Sequence, residues 1–341
     1  MFKTYFYIVF LFASANLSCQ SFNFKIQNDS ISTLRQFYKK TKDTLFYKKA
    51  IQLAKETQND SIIRETYILF GIQSYFNKDL KTLYKIKNNL YRIFKENNDS
   101  LALAKHYHYK ALYFREKKII DSSFFYYNKS KDISNQENDS LEVARRLLSM
   151  STMQYSERDY LGCENSIIKG LRYIEPLNEI KYTSILYEKL GVVLRITDRF
   201  DEARESFRKA FRIKNQKGDV RIDEHAILYN HIAKSYEAQG NNKKAIEFYK
   251  KSLSTDDSLF FKYPKRYRTS LEGLSYNNFI LGNKKLALKG YLEVLALREK
   301  INDKNGLVFS HSLLGEIYAS NKQTKKAICL ISKTTYSTAK N

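Results

Sequence analysis

The stretch that decides the fold is Ala226–Leu253, AILYNHIAKSYEAQGNNKKAIEFYKKSL. It contains no proline, and a small residue, Ala233, is followed twelve positions later by a second one, Ala245. Two helices that cross closely need a small side chain on each helix, because this lets their backbones approach. Gly240 lies between the two small residues, where a turn must reverse the chain. The stretch therefore predicts a hairpin of two antiparallel helices.

The same spacing recurs along most of the chain. A small residue returns at steps of 40 or 42 positions, at Gly71, Ala111, Ser151, Gly191, Ala233, Ser275 and Gly315. A second small residue follows twelve positions after each of the last six, at Ser123, Cys163, Ala203, Ala245, Ala287 and Ala327. Two columns locked together at a fixed period predict an array of stacked helical hairpins.

Helix starts carry their own signal. The tripeptide Asn-Asp-Ser occurs at 59–61, 98–100 and 138–140, and Asp-Asp-Ser occurs at 256–258. The side-chain oxygens of these residues accept hydrogen bonds from backbone N–H groups in the first turn of a helix. Asp139 and Glu142 also have the spacing of a capping box. We therefore expect a helix to begin after each of these motifs.

These columns resemble the tetratricopeptide repeat family. In Ala226–Leu253 the family's signature places are filled by Tyr229, Ile232, Ala233, Tyr236, Gly240, Ala245, Tyr249 and Ser252. Tyr187–Phe211 is nearly as similar, and the resemblance covers about residues 64–335. The family unit has about 34 residues, so a period of 40 to 42 implies longer helices or connections. We expect that excess in stretches such as Ser254–Arg268.

The resemblance implies an all-α fold, an α-solenoid with a right-handed superhelix of about seven tetratricopeptide-like hairpins. We divide the chain into a signal peptide at 1–20, a degenerate helical pair that caps the array at 21–63, and the array itself at 64–341.

The first twenty residues, MFKTYFYIVFLFASANLSCQ, have the layout of a secretory signal peptide, with a charge at Lys3 and an apolar run from Tyr5 to Ala15. That run is far shorter than the ~20 residues of a membrane-spanning helix. We expect an exported protein, periplasmic or secreted, without a transmembrane segment beyond the signal peptide. Two alternatives stay open, namely a buried amphipathic first helix and lipoprotein anchoring through Cys19.

The chain carries 59 Lys and Arg residues against 36 Asp and Glu residues, a formal net charge of +23. Such a charge is found in nucleic-acid-binding proteins. Lysine pairs recur at the start of each second helix, which the family turns toward solvent: Lys243 with Lys244, Lys284 with Lys285, and Lys325 with Lys326. We interpret them as a solvated face and expect no nucleic acid partner. An acidic envelope surface or acidic protein stays open as a partner.

Residues with reactive side chains are few, with three Cys and five His. His106 and His108 are two positions apart, and His225 and His231 are six apart, so neither pair shares one face of a helix. No HExxH, CxxC, GxSxG or P-loop motif occurs. Cys163 stands in a small-residue column, where packing explains it. We therefore predict no enzyme, no catalytic residue, no metal site and no cofactor.

The resemblance implies that the first helix of each hairpin lines a concave groove. Carried onto this chain, the groove residues are Tyr75, His108, Arg115, Thr152, Tyr155, Glu188, Arg195, Asn230, Lys234, Glu237, Glu272, Tyr276 and Glu316. A lining of mixed charge with tyrosines suits an extended peptide or a helix of another protein. The family's clamp for C-terminal carboxylates, a Lys one turn before an Asn, is reversed at Asn230 and Lys234, so we do not expect that clamp.

These observations predict a non-enzymatic, exported scaffold or sensor that binds a protein or peptide in its groove. The chain also resembles the periplasmic sensing region of Bacteroidetes signal-transduction regulators, and we expect a truncated or split relative of these. The alternative is a cytoplasmic peptide-responsive tetratricopeptide regulator with an uncleaved N-terminus.

Overall fold

A computed structural model describes residues 29–216, 222–255 and 263–338, and their regular structure is helical throughout. The chain divides into two compact units, Met1–Met153 (unit 1) and Gln154–Asn341 (unit 2). The predicted signal peptide at 1–20, with Cys19, lies outside the described residues. Within the described ranges, no helix is both long enough and apolar enough to span a membrane.

Each helix follows the previous one after a short connection. The first seven are α1 (29–41), α2 (Thr44–Glu56), α3 (Asp60–Phe76), α4 (Leu80–Asn97), α5 (Ser100–Glu116), α6 (Ile120–Gln136) and α7 (Ser140–Ser156). Those that follow are α8 (Tyr160–Ile174), α9 (Ile180–Ile196), α10 (Phe200–Asn215), α11 (Ile222–Ala238), α12 (Asn242–Leu253), α13 (Pro264–Ile280), α14 (Lys284–Lys300), α15 (Lys304–Ser320) and α16 (Thr324–Thr338). A 3-10 turn at Glu175–Leu177 links α8 and α9.

The predicted fold class, an all-α array of hairpins, is confirmed. From α3 to α15 the odd-numbered helices begin at steps of 40 or 42 residues, as the small-residue columns predict. Many helices span 17 residues, so the excess over the ~34-residue family unit lies in both helices of a hairpin. The prediction that the extra residues form a connection at Ser254–Arg268 is wrong for the second part of that stretch, because Pro264 begins α13. Proline suits that position, where its missing N–H would have no partner.

Glycines of the small-residue columns lie at close helix contacts. A Cβ added to Gly71 of α3 would lie 2.2 Å from the ring of Tyr109 on α5. In unit 2, a Cβ on Gly191 of α9 would lie 2.6 Å from the ring of Phe207 on α10. Cys163 is buried, and burial raises the pKa of its thiol to about 11, which agrees with a packing role. The small residues therefore allow close packing both within a hairpin, as at Gly191, and between the first helices of successive hairpins, as at Gly71.

The predicted helix starts are confirmed where the structure describes them. Asn59 accepts a hydrogen bond from the Ile62 N–H at 3.2 Å, Asp99 from the Ala102 N–H at 2.9 Å, and Asp139 from the Glu142 N–H at 3.0 Å. The capping box is only half formed, because the Glu142 carboxylate bonds to basic side chains instead of returning to the cap. The motif at 256–258 lies outside the described residues.

Turns between helices share one backbone conformation. The predicted turn residues Gly240 and Gly282 have φ angles of 81° and 80°, in the left-handed region. The same conformation recurs at residues that are not glycine, at Lys42, Gln58, Lys78, Asn98, Lys118, Asn138, Arg158, Asn178, Asp198, Asn302 and Lys322. From residue 58 to residue 198 these positions are 20 apart, so each helix and its turn form half of a repeat.

Candidate functional site

The predicted groove residues of unit 2 lie on the first helices of successive hairpins. Glu188 and Arg195 are on α9, Asn230, Lys234 and Glu237 on α11, and Glu272 and Tyr276 on α13. Helix α11 contacts both α9 and α13. We call the surface formed by these seven residues the polar face. It brings together side chains that are up to 88 positions apart in the sequence.

One end of the polar face is an ionic group around Glu188. Its carboxylate lies 3.3 Å from Lys214 Nζ and 3.6 Å from His231 Nε2. Lys214 also pairs with Glu224 at 3.2 Å. Burial alone would raise the pKa of Glu188, but the bond with His231 and the charge of Lys214 outweigh it and lower that pKa. Glu188 is therefore ionised, and its carboxylate is already paired with His231 and Lys214.

The centre of the polar face is held by Glu237. Its Oε2 accepts hydrogen bonds from the Tyr249 hydroxyl at 2.9 Å and from Asn277 Nδ2 at 2.6 Å. Burial and the negative charge of Glu237 both raise the pKa of Tyr249. The tyrosine is therefore a fixed hydrogen-bond donor, and Glu237 ties α11 to α12 and α13.

Two predicted residues serve the contacts between helices. Asn230 is buried and donates from Nδ2 to the Ser270 hydroxyl at 2.9 Å, which joins α11 to α13. Glu272 pairs with the buried Arg298 of α14 at 2.7 Å. Tyr276, in contrast, is 41% exposed. A ligand on the polar face would therefore meet Tyr276 more directly than Asn230.

Arg195 and Lys234 differ from the other charged members of the polar face. In the part of the chain that the structure describes, neither forms a salt bridge or a hydrogen bond, and Arg195 Nε is buried without a partner. Burial, followed by repulsion from Arg195, lowers the pKa of Lys234, against the opposing charges of Glu237 and Glu272.

Unit 1 contains four of the predicted residues. Tyr75 and Arg115 are half-buried neighbours at the ends of α3 and α5; burial raises the pKa of Tyr75, and the charge of Arg115 opposes this. His108 is buried, and burial together with Arg146 holds its pKa well below the usual range, so it is neutral and lies inside the unit instead of on an open groove. The Thr152 hydroxyl bonds to the Leu148 carbonyl of its own helix at 2.9 Å.

Two further predicted residues, both in unit 2, reach solvent. Tyr155 keeps 39% of its side chain exposed and packs edge-on against Tyr160, with ring centroids 5.9 Å apart. Glu316 on α15 is exposed.

A group of interacting charges in unit 1, three of them buried, was not predicted from the sequence; we call it the ionic cluster, and it consists of Lys105, Glu142, Arg145 and Arg146. Glu142 lies 2.8 Å from Lys105 Nζ, 2.5 Å from Arg146 Nη2, and also in contact with Arg145 Nη1. Arg146 is only 1% exposed. Three cations thus share one carboxylate. The spacing of Glu142 and Arg146, four positions apart on one helix, was the available signal.

Comparison with known proteins identifies the repeat. A family model described as tetratricopeptide repeat matches residues 182–258, which span α9 to α12. These hairpins are tetratricopeptide repeats. No curated protein sequence matches the chain.

Solved structures with tetratricopeptide repeats resemble the chain in fold. A signal transduction ATPase with numerous domains from Pyrococcus horikoshii, with a tetratricopeptide repeat sensor, aligns with a TM-score of 0.71 and 14% identity, over 92% of this chain and 47% of that one. The apo form of RapI aligns with a TM-score of 0.62 and 12% identity, over 92% and 98%. The apo quorum sensor NprR from B. thuringiensis aligns with a TM-score of 0.53 and 11% identity, over 92% of this chain and 97% of that one. At these identities the likeness shows the fold.

The clefts near these tetratricopeptide repeats lie apart from the polar face. A cleft of about 400 Å³ is lined by Glu179, Thr183, Tyr187, Lys209 and Arg212, among others, and none of its lining residues belongs to the polar face. Small-molecule sites are usually enclosed and largely apolar. The polar face instead presents mostly half-buried hydrogen-bonding and charged groups from three helices, which suits an extended segment of another chain.

Proposed function

We propose that the protein is a non-enzymatic repeat protein, exported to the periplasm, that binds an extended peptide or protein segment on the polar face of unit 2. The observation that carries this proposal is the convergence of polar side chains from α9, α11 and α13, the first helices of three successive hairpins. An extended segment presents backbone N–H and C=O groups that need partners when they leave water.

The geometry of the polar face supports a preformed binding surface. Asn230 and Glu237 are held by bonds to Ser270, Tyr249 and Asn277, so little side-chain entropy is lost when a ligand contacts this surface. Tyr276 adds an exposed aromatic ring with few rotatable bonds, the residue type that often anchors binding energy.

We further propose a sensing role, in which binding on the polar face is the input of a signal-transduction regulator. Two relatives in fold are described as sensors: the repeats of the Pyrococcus horikoshii protein form a tetratricopeptide repeat sensor, and NprR is a quorum sensor. The apolar run between Tyr5 and Ala15 supports export of this chain.

Peptide selection tests the binding proposal. The chain from Ser21 to Asn341 serves as bait for a phage-displayed library of random dodecapeptides, and enriched peptides are synthesised for calorimetry. Tyr276→Ala should weaken binding about tenfold. The matched control is Leu286→Ala, which truncates a side chain that is 60% exposed on the second helix α14 and should bind as the wild type does. Enrichment of no peptide, or equal weakening by both variants, would overturn the proposal.

Fractionation tests the export proposal separately. The full chain, tagged at its C-terminus, should be found in the periplasmic fraction with an N-terminus that begins within a few residues of Ser18, as mass spectrometry would show. A lipid-modified Cys19 in the membrane fraction would replace free export by anchoring. Recovery of a full-length cytosolic chain would contradict export and favour the cytoplasmic peptide-responsive regulator.

A further inference from the structure

Two cations on the polar face lack direct partners although they are partly buried. Arg195 projects from α9 and Lys234 from α11, and each is about half-buried. Among the residues that the structure describes, neither makes a hydrogen bond or a salt bridge, and Arg195 Nε is enclosed without an acceptor. A partly desolvated cation normally pairs with a carboxylate, because burial without a partner is unfavourable.

The nearby carboxylates are engaged elsewhere. Glu237 Oε2 accepts from Tyr249 and Asn277, at 2.9 and 2.6 Å. Glu272 Oε1 accepts from Arg298 Nη2 at 2.7 Å. These bonds hold both carboxylates against α12, α13 and α14. The polar face therefore places negative charge near Lys234 but brings no carboxylate into direct contact with either cation.

The two cations also repel each other. Repulsion by Arg195 contributes to the lowered pKa of Lys234, after the larger effect of burial. In a partly buried setting this repulsion is stronger than it would be in water, because the effective dielectric constant is lower. An anion that contacts both side chains would remove the repulsion and would fill the unused donor positions of the Arg195 guanidinium.

We propose that Arg195 and Lys234 form a binding site for a carboxylate of the segment that the polar face binds. The carboxylate is either the C-terminus of that segment or an Asp or Glu side chain. A guanidinium presents two parallel N–H groups that match a carboxylate, and the ammonium of Lys234 adds a second charge-assisted bond. The site joins two successive hairpins and differs from the Lys-then-Asn order of the family's clamp. This inference rests on the proposed function.

Defined peptide pools test the carboxylate site on the purified full chain. The probes are random decapeptides of uncharged residues that carry an uncharged BODIPY fluorophore on the N-terminus, prepared with a free C-terminus, with an amidated C-terminus, and amidated with one fixed Glu. We expect the free-acid pool, the Glu pool or both to bind about tenfold more tightly than the neutral amidated pool in fluorescence anisotropy. The two charged pools distinguish a terminal carboxylate from a side-chain carboxylate.

Three variants identify the residues. Arg195→Gln and Lys234→Gln should each abolish the roughly tenfold preference for the charged pool, measured within each variant as the ratio of its affinities for the charged and neutral pools, and Lys234→Arg should restore that ratio. Lys285→Gln removes the same charge from an exposed position on α14 and should keep the preference. Thermal unfolding of each variant is recorded, so that a loss of binding through unfolding is recognised.

The outcomes separate this inference from the proposal on which it rests. Equal binding of charged and neutral pools by the wild type would overturn the carboxylate site and leave peptide binding intact. Variants that weaken all pools equally would show a structural role for the two cations and would also overturn the site. Binding of no pool would overturn the carboxylate site together with the peptide-binding proposal.

Discussion

The ionic cluster of unit 1 and the polar face of unit 2 use charge on first helices in opposite ways. In unit 1, Glu142 is in contact with Lys105, Arg145 and Arg146, and the cluster is closed to solvent at Arg146. In unit 2, Arg195 and Lys234 stay without direct partners. Charged residues on the first helices can therefore either pair with one another and stabilise the packing or stay unpaired and available to a ligand.

The largest effect on stability is expected from a substitution at Glu142. Glu142→Gln removes the carboxylate that the buried Lys105 and Arg146 share, so we expect a loss of about 3–5 kcal/mol in the free energy of unfolding, the range seen when a buried ion pair loses one partner. Urea unfolding followed by circular dichroism measures it. Glu96→Gln, at an exposed position of the same unit, is the control and should change stability by less than about 0.5 kcal/mol. A Glu142→Gln variant as stable as this control would contradict the buried cluster.

Acid should weaken the same cluster. Burial alone would raise the pKa of Glu142, but Arg146, Lys105 and Arg145 lower it from 4.5 to about 2. A carboxyl with a lowered folded pKa adds stability above its unfolded pKa and loses it as the pH falls toward its folded pKa. We expect about 3 kcal/mol to disappear between pH ~4.5 and ~2. Unfolding measured across this range should be less acid-sensitive in Glu142→Gln, and equal sensitivity would argue against the assignment.

Substitutions in the small-residue columns should destabilise both units to a similar extent, although the charged residues of the two units differ in their pairing. Gly71→Ala in unit 1 and Gly191→Ala in unit 2 each place a Cβ within 3 Å of a buried ring, that of Tyr109 or Phe207. We expect each substitution to lower the free energy of unfolding by about 1–3 kcal/mol, the range for overpacking. Chemical denaturation checks both. A neutral or stabilising result in either unit would show that its hairpins have room at the crossing.

The turns give the smallest expected effect. Lys118 of unit 1 has a φ of 58°, where a side chain is disfavoured, and Gly240 of unit 2 has a φ of 81° with open space at its Cβ position. Lys118→Gly should stabilise by about 0.5–1 kcal/mol, and Gly240→Ala should destabilise by about the same amount. Thermal unfolding of both variants measures these shifts. Changes of the same sign in both would contradict a shared left-handed turn.

The hairpins could be predicted from the sequence because steric contact dictates them. Gly71 and Gly191 face rings that leave no room for a side chain, so the small residues are visible as columns. The turns at Lys78 and Lys118 could not be predicted, since a lysine in the left-handed conformation leaves no compositional signal. Gly240 and Gly282 carried a strong signal, and Asn98 and Asn138 carried a weaker one, because asparagine tolerates this conformation better than lysine does.

The repeat register indicated exposure correctly at two of the predicted groove positions, whose role in binding stays a prediction. Tyr155 and Tyr276, both chosen from the repeat register, are exposed. His108 was chosen in the same way and is buried, because the neighbouring helices close over that position in unit 1. The ionic cluster could not be predicted from the sequence, because Lys105 and Glu142 belong to different hairpins and meet only after the helices pack.

From residue 58 to residue 198 the turns are twenty residues apart, and this spacing determines which changes in chain length that part of the array can accept. Each helix with its turn is half of a repeat, and alternate halves have different roles, the first carrying the polar face and the second carrying the exposed lysine pairs. A deletion of forty residues would leave every later helix in its role. A deletion of twenty would exchange the two roles in all helices that follow and would direct lysines toward the ligand. Lengthening or shortening of this array during evolution is therefore expected in pairs of helices.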